Sequence, residues 1–594
     1  MPRGTFILFL AVMPFLLAGA SNRLGTTPAP LTMPARALFE AVRGDDEQTV
    51  ASLLAKKVDV NAREEDGATP LAWAALRCNP DITKLLLKAG ANSNLTNELG
   101  VGPLYLAMTN GSFDIVSLLL RHGANPNIAR ENGETPLMTA TRLGQVNVMR
   151  MLLDHGALVN ARESRFGQTA LMWAAGYPAA TRLLVDRGAD LRAVSKIWNV
   201  TATIYTPPTV TLGRTGIPWN NAGVYTNKQG GQNALLFDVQ QHDLASARIL
   251  VDAGVDVNTA AADGTTPLLA ALYKWDSLGK EFVAGVAAPA ASGSSARFSA
   301  DLPMARFLLD HGASVNATDA AGYTPLHGAV LAVAALTTMG RDRSAYGVGR
   351  AVRNKAQTAP AIQWRIPNLP DSRAQLAEAL ALVKRLLEAG ADPNRQTLYP
   401  TAGPVGDVRI NPAPPGSSTF HIAAYSDCVP LVKVLVEKGA DPNLLRKDGH
   451  TPFSVAVLST NVEMVRELVA SGANLTLHYN PTDHFSDPVK PISLPRRDQT
   501  ILHIAAGAAA PEVITYLYSL GVPLDMKNSA GETPLELADR QERYHEAAAR
   551  ENAEDNPGRV VKRDTSTTDE IKKLLASSTP SSTVAGLGPP SKKH

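Results

Sequence analysis

Apolar and polar positions along this chain repeat with a long period. Within one period the apolar residues fall at Ile115, Leu118 and Leu119, or at Val148, Met151 and Leu152. That i, i+3, i+4 spacing lines one face of a helix. Such stretches close on Leu-Leu-x-x-Gly-Ala-x-x-Asn at 86–94, 119–127, 152–160, 308–316 and 386–394, and with Val436 in the second Leu place at 435–443. Asn61, Asn94, Asn127 and Asn160 stand 33 residues apart. A fixed period of this size predicts stacked supersecondary units and not one closed core.

Each unit also has a recurring start, Gly-x-Thr-Pro-Leu, at 67–71, 133–137, 264–268, 322–326 and 531–535. Degenerate copies begin at Gly100, Gly167, Gly231, Thr419, Gly449 and Gln499, and a half-typical copy occupies about 35–61. Thr is placed to cap a helix, its hydroxyl accepting an otherwise orphaned N–H. Pro then takes the first helical position, where no hydrogen bond is lost. Pairs such as Ala74-Ala75, Ala174-Ala175, Ala423-Ala424 and Ala505-Ala506 let the next layer approach closely. A second helix follows, Gly ends it in the left-handed region, and the Asn/Asp-Gly run turns as a hairpin.

Caps, helices and hairpin in this order resemble the ankyrin repeat, over most of residues 35–540, with the last unit completed near 569–576. The resemblance implies an all-α solenoid of about twelve helix-turn-helix units with hairpin fingers and loop inserts. The whole is similar to large ankyrin-repeat proteins that bacteria export to the cell envelope. Proteins of this family mostly bind other proteins through the fingers and first-helix face.

The period breaks where Asn258 to Asn316, Asn316 to Asn394 and Asn394 to Asn443 span 58, 78 and 49 residues. This divides the chain into a signal peptide (1–20), a linker (21–34), repeats 1–5 (35–194), an insert (195–230) and repeats 6–12 (231–540). Within the last, inserts fall at 276–300, 331–371, 395–418 and 476–498. An insert with the last helix (541–576) and a disordered tail (577–594) follow. Inserts between one unit's second helix and the next first helix lie on the finger side (193–231, 395–418, 476–498); those between the two helices of a unit lie on the far side. The first insert is rich in Thr and aromatics, and strands at 201–206 and 209–213 around Pro207-Pro208 predict a small hairpin. The Ala/Ser/Gly-rich 276–300 reads as a flexible loop.

Composition adds limits. The chain has 594 residues, a net charge of +2 and 5% aromatics, so no global field points to nucleic acid. Arg3, an apolar run at 6–17 and Ala18-Gly19-Ala20 predict a secretory signal cleaved after Ala20. The mature protein is then periplasmic or secreted, without a membrane span, and monomeric. Cys78 and Cys428 stand nine residues beyond Thr69 and Thr419, seven repeats apart. With layers ~8–10 Å apart that spacing is incompatible with a disulfide between them.

The search for chemistry finds no cofactor site, no metal site and no catalytic constellation. Gly347-Val348-Gly349 lacks the third Gly of a dinucleotide loop. His545-Glu546 lacks a second zinc ligand, since Ala549 stands four beyond His545. His122, His155 and His311 precede Gly-Ala, and His327, His421 and His503 share a place beyond the cap, so each set reads as hydrogen bonding between repeats and not as metal ligation. Trp73 and Trp173 share another register. Arg341, Arg343, Arg350, Arg353, Lys355 and Arg365 read as a solvated loop, or else as a site for an acidic partner or anionic lipid.

The function these features predict is a non-catalytic protein-protein interaction scaffold, its partner another protein. Candidate contacts are the finger residues Glu64, Glu65, Arg130, Glu131, Arg165 and Phe166, with Trp198, Tyr205, Trp219 and Tyr225 of the first insert. Two alternatives stand beside it: a module binding a glycan or other envelope ligand on those insert aromatics, and an enzyme with its site in the inserts.

Overall fold

The computed structural model describes residues 31–203, 224–272, 274–275, 298–338, 372–398, 416–426, 428–446, 449–479, 498–540, 542–543 and 565–577. The expected signal peptide, the basic cluster at 341–365, His545-Glu546 and the tail from 578 lie outside the described residues.

Helices pair in sequence, and they fall into two compact units, 1–190 and 191–594. Unit 1 holds five pairs: α1 (Met33–Arg43) with α2 (Glu47–Ala55), α3 (Pro70–Leu76) with α4 (Pro80–Lys88), α5 (Pro103–Thr109) with α6 (Phe113–Arg121), α7 (Pro136–Arg142) with α8 (Val146–Asp154), and α9 (Ala170–Trp173) with α10 (Pro178–Asp186). Unit 2 holds α11 (Ala234–Gln240) with α12 (Leu244–Asp252), α13 (Pro267–Leu272) with α14 (Leu302–Asp310), α15 (Pro325–Thr338) with α16 (Ser372–Glu388), and α17 (Thr419–Tyr425) with α18 (Val429–Glu437). It continues with α19 (Pro452–Leu458) and α20 (Val462–Ala470), α21 (Ile501–Gly507) and α22 (Pro511–Ser519), and ends with α23 (534–540) and α24 (Ser566–Ser577). The fold is an all-α repeat solenoid.

The repeat sequence explains each turn. Thr69, Thr135 and Thr451 accept from the N–H three residues on, at 3.2–3.3 Å, with Pro beginning the helix. Gly90, Gly123 and Gly156 end the second helices with φ of 80–90°, a region closed to most side chains. Each layer then buries its apolar stripe: Leu86, Leu119, Leu152, Leu308, Leu386 and Leu435 are all fully buried. Short helices of seven to nine residues are marginal alone, so this burial between layers is what holds them.

An asparagine ladder joins the finger bases. Asn94 Nδ2 donates to Gly123 O at 2.9 Å, and its Oδ1 accepts from Asn125 N at 2.7 Å. Asn127 does the same with Gly156 O and Leu158 N, and Asn443 with Gly472 O and Asn474 N.

Finger-side inserts leave the stack through antiparallel necks. The first is β1 (Ile197–Thr203) against β2 (Val224–Gly230), seven rungs long and closed by Ser195 N donating to Gln232 O at 2.9 Å. This corrects the expected hairpin: Thr201 and Thr203 pair with Thr226 and Val224, not with residues of 209–213. Val and Thr on both strands favour the longer ladder, and proline cannot donate into one. The other necks are single bridges, Gln396 with Ser418 and Tyr479 with Gln499. On the far side, β3 (Lys274–Trp275) pairs with β4 (Phe298–Ser299), so the Ala/Ser/Gly-rich insert is closed at its base. The next far-side insert begins later than expected. Helix α15 runs on through 331–338, because Leu-Ala-Val-Ala-Ala-Leu continues a helix without a Gly stop.

One cap is also corrected. Ser418, not Thr419, caps α17, and the Thr419 hydroxyl donates to Pro393 O at 2.7 Å. The register therefore shifts by one. Cys78 sits in a turn at φ 57°, whereas Cys428 is the N-cap residue of α18, the place Asn79 holds at α4. Both are free thiols, Cys78 exposed and Cys428 buried.

Candidate functional site

In unit 1 the fingers and first helices build a row of aromatic, guanidinium and carboxylate groups. It starts where α3 presents Trp73, four residues past its cap and half-buried. The Trp73 indole N–H donates to Glu64 Oε2 at 2.7 Å. Arg43, at the end of α1, pairs with the same carboxylate and lies 4.2 Å above the indole ring. An indole so fixed has an immobile face with its polar edge already satisfied.

Further along, Arg130 of the next finger lies 4.8 Å over the Tyr105 ring of α5, with Nη1 3.3 Å from the phenol oxygen. The same Nη1 donates to Glu134 Oε2 at 3.0 Å. Glu134 is only 4% exposed, yet its other oxygen accepts from Thr139 Oγ1 at 2.9 Å and Arg142 at 3.3 Å. A buried carboxylate is costly unless so fully partnered. Beside this group a cleft opens between Thr96, Gly102, Tyr105, Ile128 and Arg130. Gly102 replaces the usual Thr cap here; a Cβ at this position would stand 3.3 Å from both Leu95 O and Thr96 Cγ2.

The finger before α9, the fourth, is held differently. Glu163, 5% exposed, accepts the backbone N–H groups of Arg165 and Phe166 at 2.7 Å and of Gln168 at 2.9 Å. That fixes the tip, on which Arg165 stacks 4.8 Å over Phe166. Gln168 Oε1 then accepts from the Trp173 indole at 2.7 Å. Trp73 and Trp173, at one register, thus share one solution: an indole N–H satisfied by the finger before it.

Among the residues expected to make contacts, Glu64 and Arg130 belong to this row but are turned inward to Trp73, Tyr105 and Glu134. Glu65 and Glu131 are exposed at their finger tips, and Arg165 with Phe166 forms the tip of the fourth. Trp198 is half-buried on β1 opposite Gln229, and Tyr225 lies on β2 opposite Ala202, four rungs further along. Tyr205 and Trp219 lie outside the described residues. The sequence reading missed Arg43, Tyr105, Glu134 and Glu163. The available signal was an acidic residue in a buried finger position, Glu134 directly before the Thr135 cap.

Histidines elsewhere do structural work. Nδ1 of His122, His155 and His311 lies 2.7–2.9 Å from the carbonyl four residues back, so this set bonds to the end of its own helix and not between repeats as expected. Nδ1 of His327, His421 and His503 accepts from the cap residue's N–H, while Nε2 reaches the next finger's carbonyl: Ser417, His450 and Glu532. Burial pushes His327 down to about 4 and lowers His503 too, keeping both neutral. Among the described residues no cluster of His, Cys, Asp and Glu could hold a metal ion, and no helix is long and apolar enough to cross a membrane.

Comparison with known proteins agrees with this architecture. A family model described as ankyrin repeats (3 copies) matches residues 38–130, 104–195 and 373–479; two further models, ankyrin repeats (many copies), match 487–538 and 294–332. Among curated proteins, a mitochondrial disaggregase of Bos taurus is 46% identical over 59 residues, 10% of this chain and 9% of that protein. The palmitoyltransferase akr1 of Schizosaccharomyces pombe is 47% identical over 58 residues, again 10% and 9%. The chain thus spans less than a tenth of the length of these relatives.

Proposed function

The chain belongs to the ankyrin-repeat family, and from that premise we propose that it is a non-catalytic scaffold whose unit 1 face, from Trp73 to Trp173, binds another protein. The observation that carries this reading is preorganisation. Trp73, Tyr105 and Trp173 are half-exposed, yet each is already held by internal partners. Fixed aromatic faces lose little conformational entropy on binding, and aromatic and Arg anchors dominate protein interfaces. The matches to a disaggregase and a palmitoyltransferase cover only 58–59 residues, so neither activity enters the proposal.

The proposed place of action is the periplasm or the cell exterior, with the chain acting as a monomer. The apolar run at 6–17 and Ala18-Gly19-Ala20 support export, and N-terminal sequencing of the mature protein tests it, Ser21 being the expected first residue. For the binding face, the mature chain captures its partner from the native envelope fraction, and affinities of variants are then compared. Trp73→Ala and Tyr105→Ala weaken binding by at least about tenfold, whereas Lys84→Ala, exposed on α4, leaves it unchanged. Equal affinity of all three variants would place the partner on another surface.

A further inference from the structure

Five residues beyond the cap, the first helices place alanine. It is so in α3, α5, α7 and α9 of unit 1, and in α13, α15, α17, α19, α21 and α23 of unit 2, for example Ala74, Ala140, Ala271 and Ala329. The small side chain suits the place, since neighbouring layers close onto it. Helix α11, capped by Asn233, departs from this rule and carries Asp238 there.

Asp238 is 1% exposed, and its Oδ2 has no hydrogen-bond partner among the described residues. Helices α12 and α13 pack against α11. On α12 the charged groups are Arg248 and Asp252, both exposed, and the Arg248 guanidinium lies 5.0 Å over the Phe307 ring. Helix α13 has no titratable residue. In the α11–α12 turn, exposed His242 meets Asp301 Oδ2 at 3.0 Å. Asp243 caps α12 by accepting from Ser246 N at 3.0 Å, and its charge repels one on Asp238. Among the described residues, the carboxyl is therefore buried beside a like charge and without a cation against it.

We propose that the α11–α12 layer is gated by protonation: it closes with Asp238 neutral and opens as rising pH favours the carboxylate. Burial first, then Asp243, pushes the Asp238 carboxyl up to about 8 in the closed layer, from an ordinary value of 3.8. The sign follows. Between those two values the closed layer holds a proton that the open layer has released, so stability falls as pH rises and levels off above about 8. The opening constant grows up to about tenfold per pH unit in that window. Repeat arrays allow such local opening because each layer meets only its neighbours.

The test is hydrogen exchange on the full chain, corrected for intrinsic exchange, comparing amides 234–252 with the pair 419–437. The wild type loses protection at 234–252 on the order of fiftyfold between pH 6 and 8, while the reference segment does not follow. Asp238→Ala, which restores the repeat's own residue, and Asp238→Asn, which keeps the side chain's shape, abolish that pH dependence. The proposal is overturned if both segments lose protection together, if the wild type shows no loss, or if either variant keeps the wild-type profile.

Discussion

Unit 1 and unit 2 close the same asparagine ladder over very different lengths of chain. In unit 1 the rungs join residues 28–29 apart, as in Asn127 to Gly156 at 2.9 Å and Asn160 to Gly188 at 3.2 Å. In unit 2, Asn443 to Gly472 keeps that span of 29, but three rungs bridge 54 residues from Asn258 to Gly312, 74 from Asn316 to Gly390 and 45 from Asn394 to Gly439, at 2.8–3.2 Å. Insertion has left the bond untouched. Each layer is held by the neighbours it packs on, and the entropy of closing the loop between them grows only with the logarithm of its length. The antiparallel necks help, since β1 with β2, or Gln396 with Ser418, returns the chain to the place it left.

The units differ in their polar chemistry as well. Unit 1 fills its first-helix face with Trp73, Tyr105 and Trp173, tied to Glu64, Arg130 and Gln168. Unit 2 uses His327, His421 and His503 as internal braces between layers. The histidines of unit 1, His122 and His155, lie exposed at helix ends. One unit therefore uses polar groups to fix aromatic faces at its surface, and the other uses buried histidines to join layers.

Three experiments press on this contrast. The largest effect comes from the core. Leu119→Ala in unit 1 and Leu386→Ala in unit 2 each remove a fully buried side chain, and each costs about 2–5 kcal/mol. Hydrogen exchange on each variant shows the loss concentrated in the unit that carries the change; equal loss in both units would mean that they are not separate bodies.

Acid is expected to separate the units next. His327 is neutral and buried with its value pushed to about 4, whereas an unfolded histidine takes a proton near 6.5. Between these values the unfolded chain binds the extra proton, so the stabilisation is complete above about 6.5 and falls as pH drops towards 4. The loss reaches up to about 3 kcal/mol and appears in amides 325–338 and 417–426. Matching acid sensitivity in unit 1 would refute the assignment to this histidine.

The smallest effect tests the ladder itself. Asn127→Ala and Asn316→Ala each remove a donor and an acceptor, at about 1–2 kcal/mol. Although one rung spans 29 residues and the other 74, the two losses are equal in local exchange stability. A markedly smaller loss at Asn316 would show that the long insert has already loosened that junction.

Much of this was legible because repetition averages out local ambiguity. One Thr-Pro pair is weak evidence for a helix start, but the same pair before Leu71, Leu137, Leu268 and Leu326 is strong. The inter-repeat role of His327 and His503 was readable for that reason, and their Nε2 atoms do reach the next finger. Where a residue recurs rarely, the signal failed, as at the place before the cap that Glu134 shares only with Glu532. Glu134 looks like an ordinary surface acid until Arg130, Arg142 and Thr139 converge on it. The Ser418 cap was hidden because Thr419, directly beside it, offers the same chemistry.

By itself, then, the sequence determined the family, the all-α layering and the sites of insertion, because those follow from residue type at a fixed spacing and from helix capping that each segment decides locally. Tertiary structure alone decided which charges meet. Glu64 beneath Trp73 and Arg43, Asp238 beneath its neighbouring layer and the seven-rung neck of the first insert all depend on contacts between residues far apart in the chain. Burial turned an acid in an alanine place from a substitution of one letter into a carboxyl with no cation against it among the described residues, and no periodicity in the sequence encodes that energy.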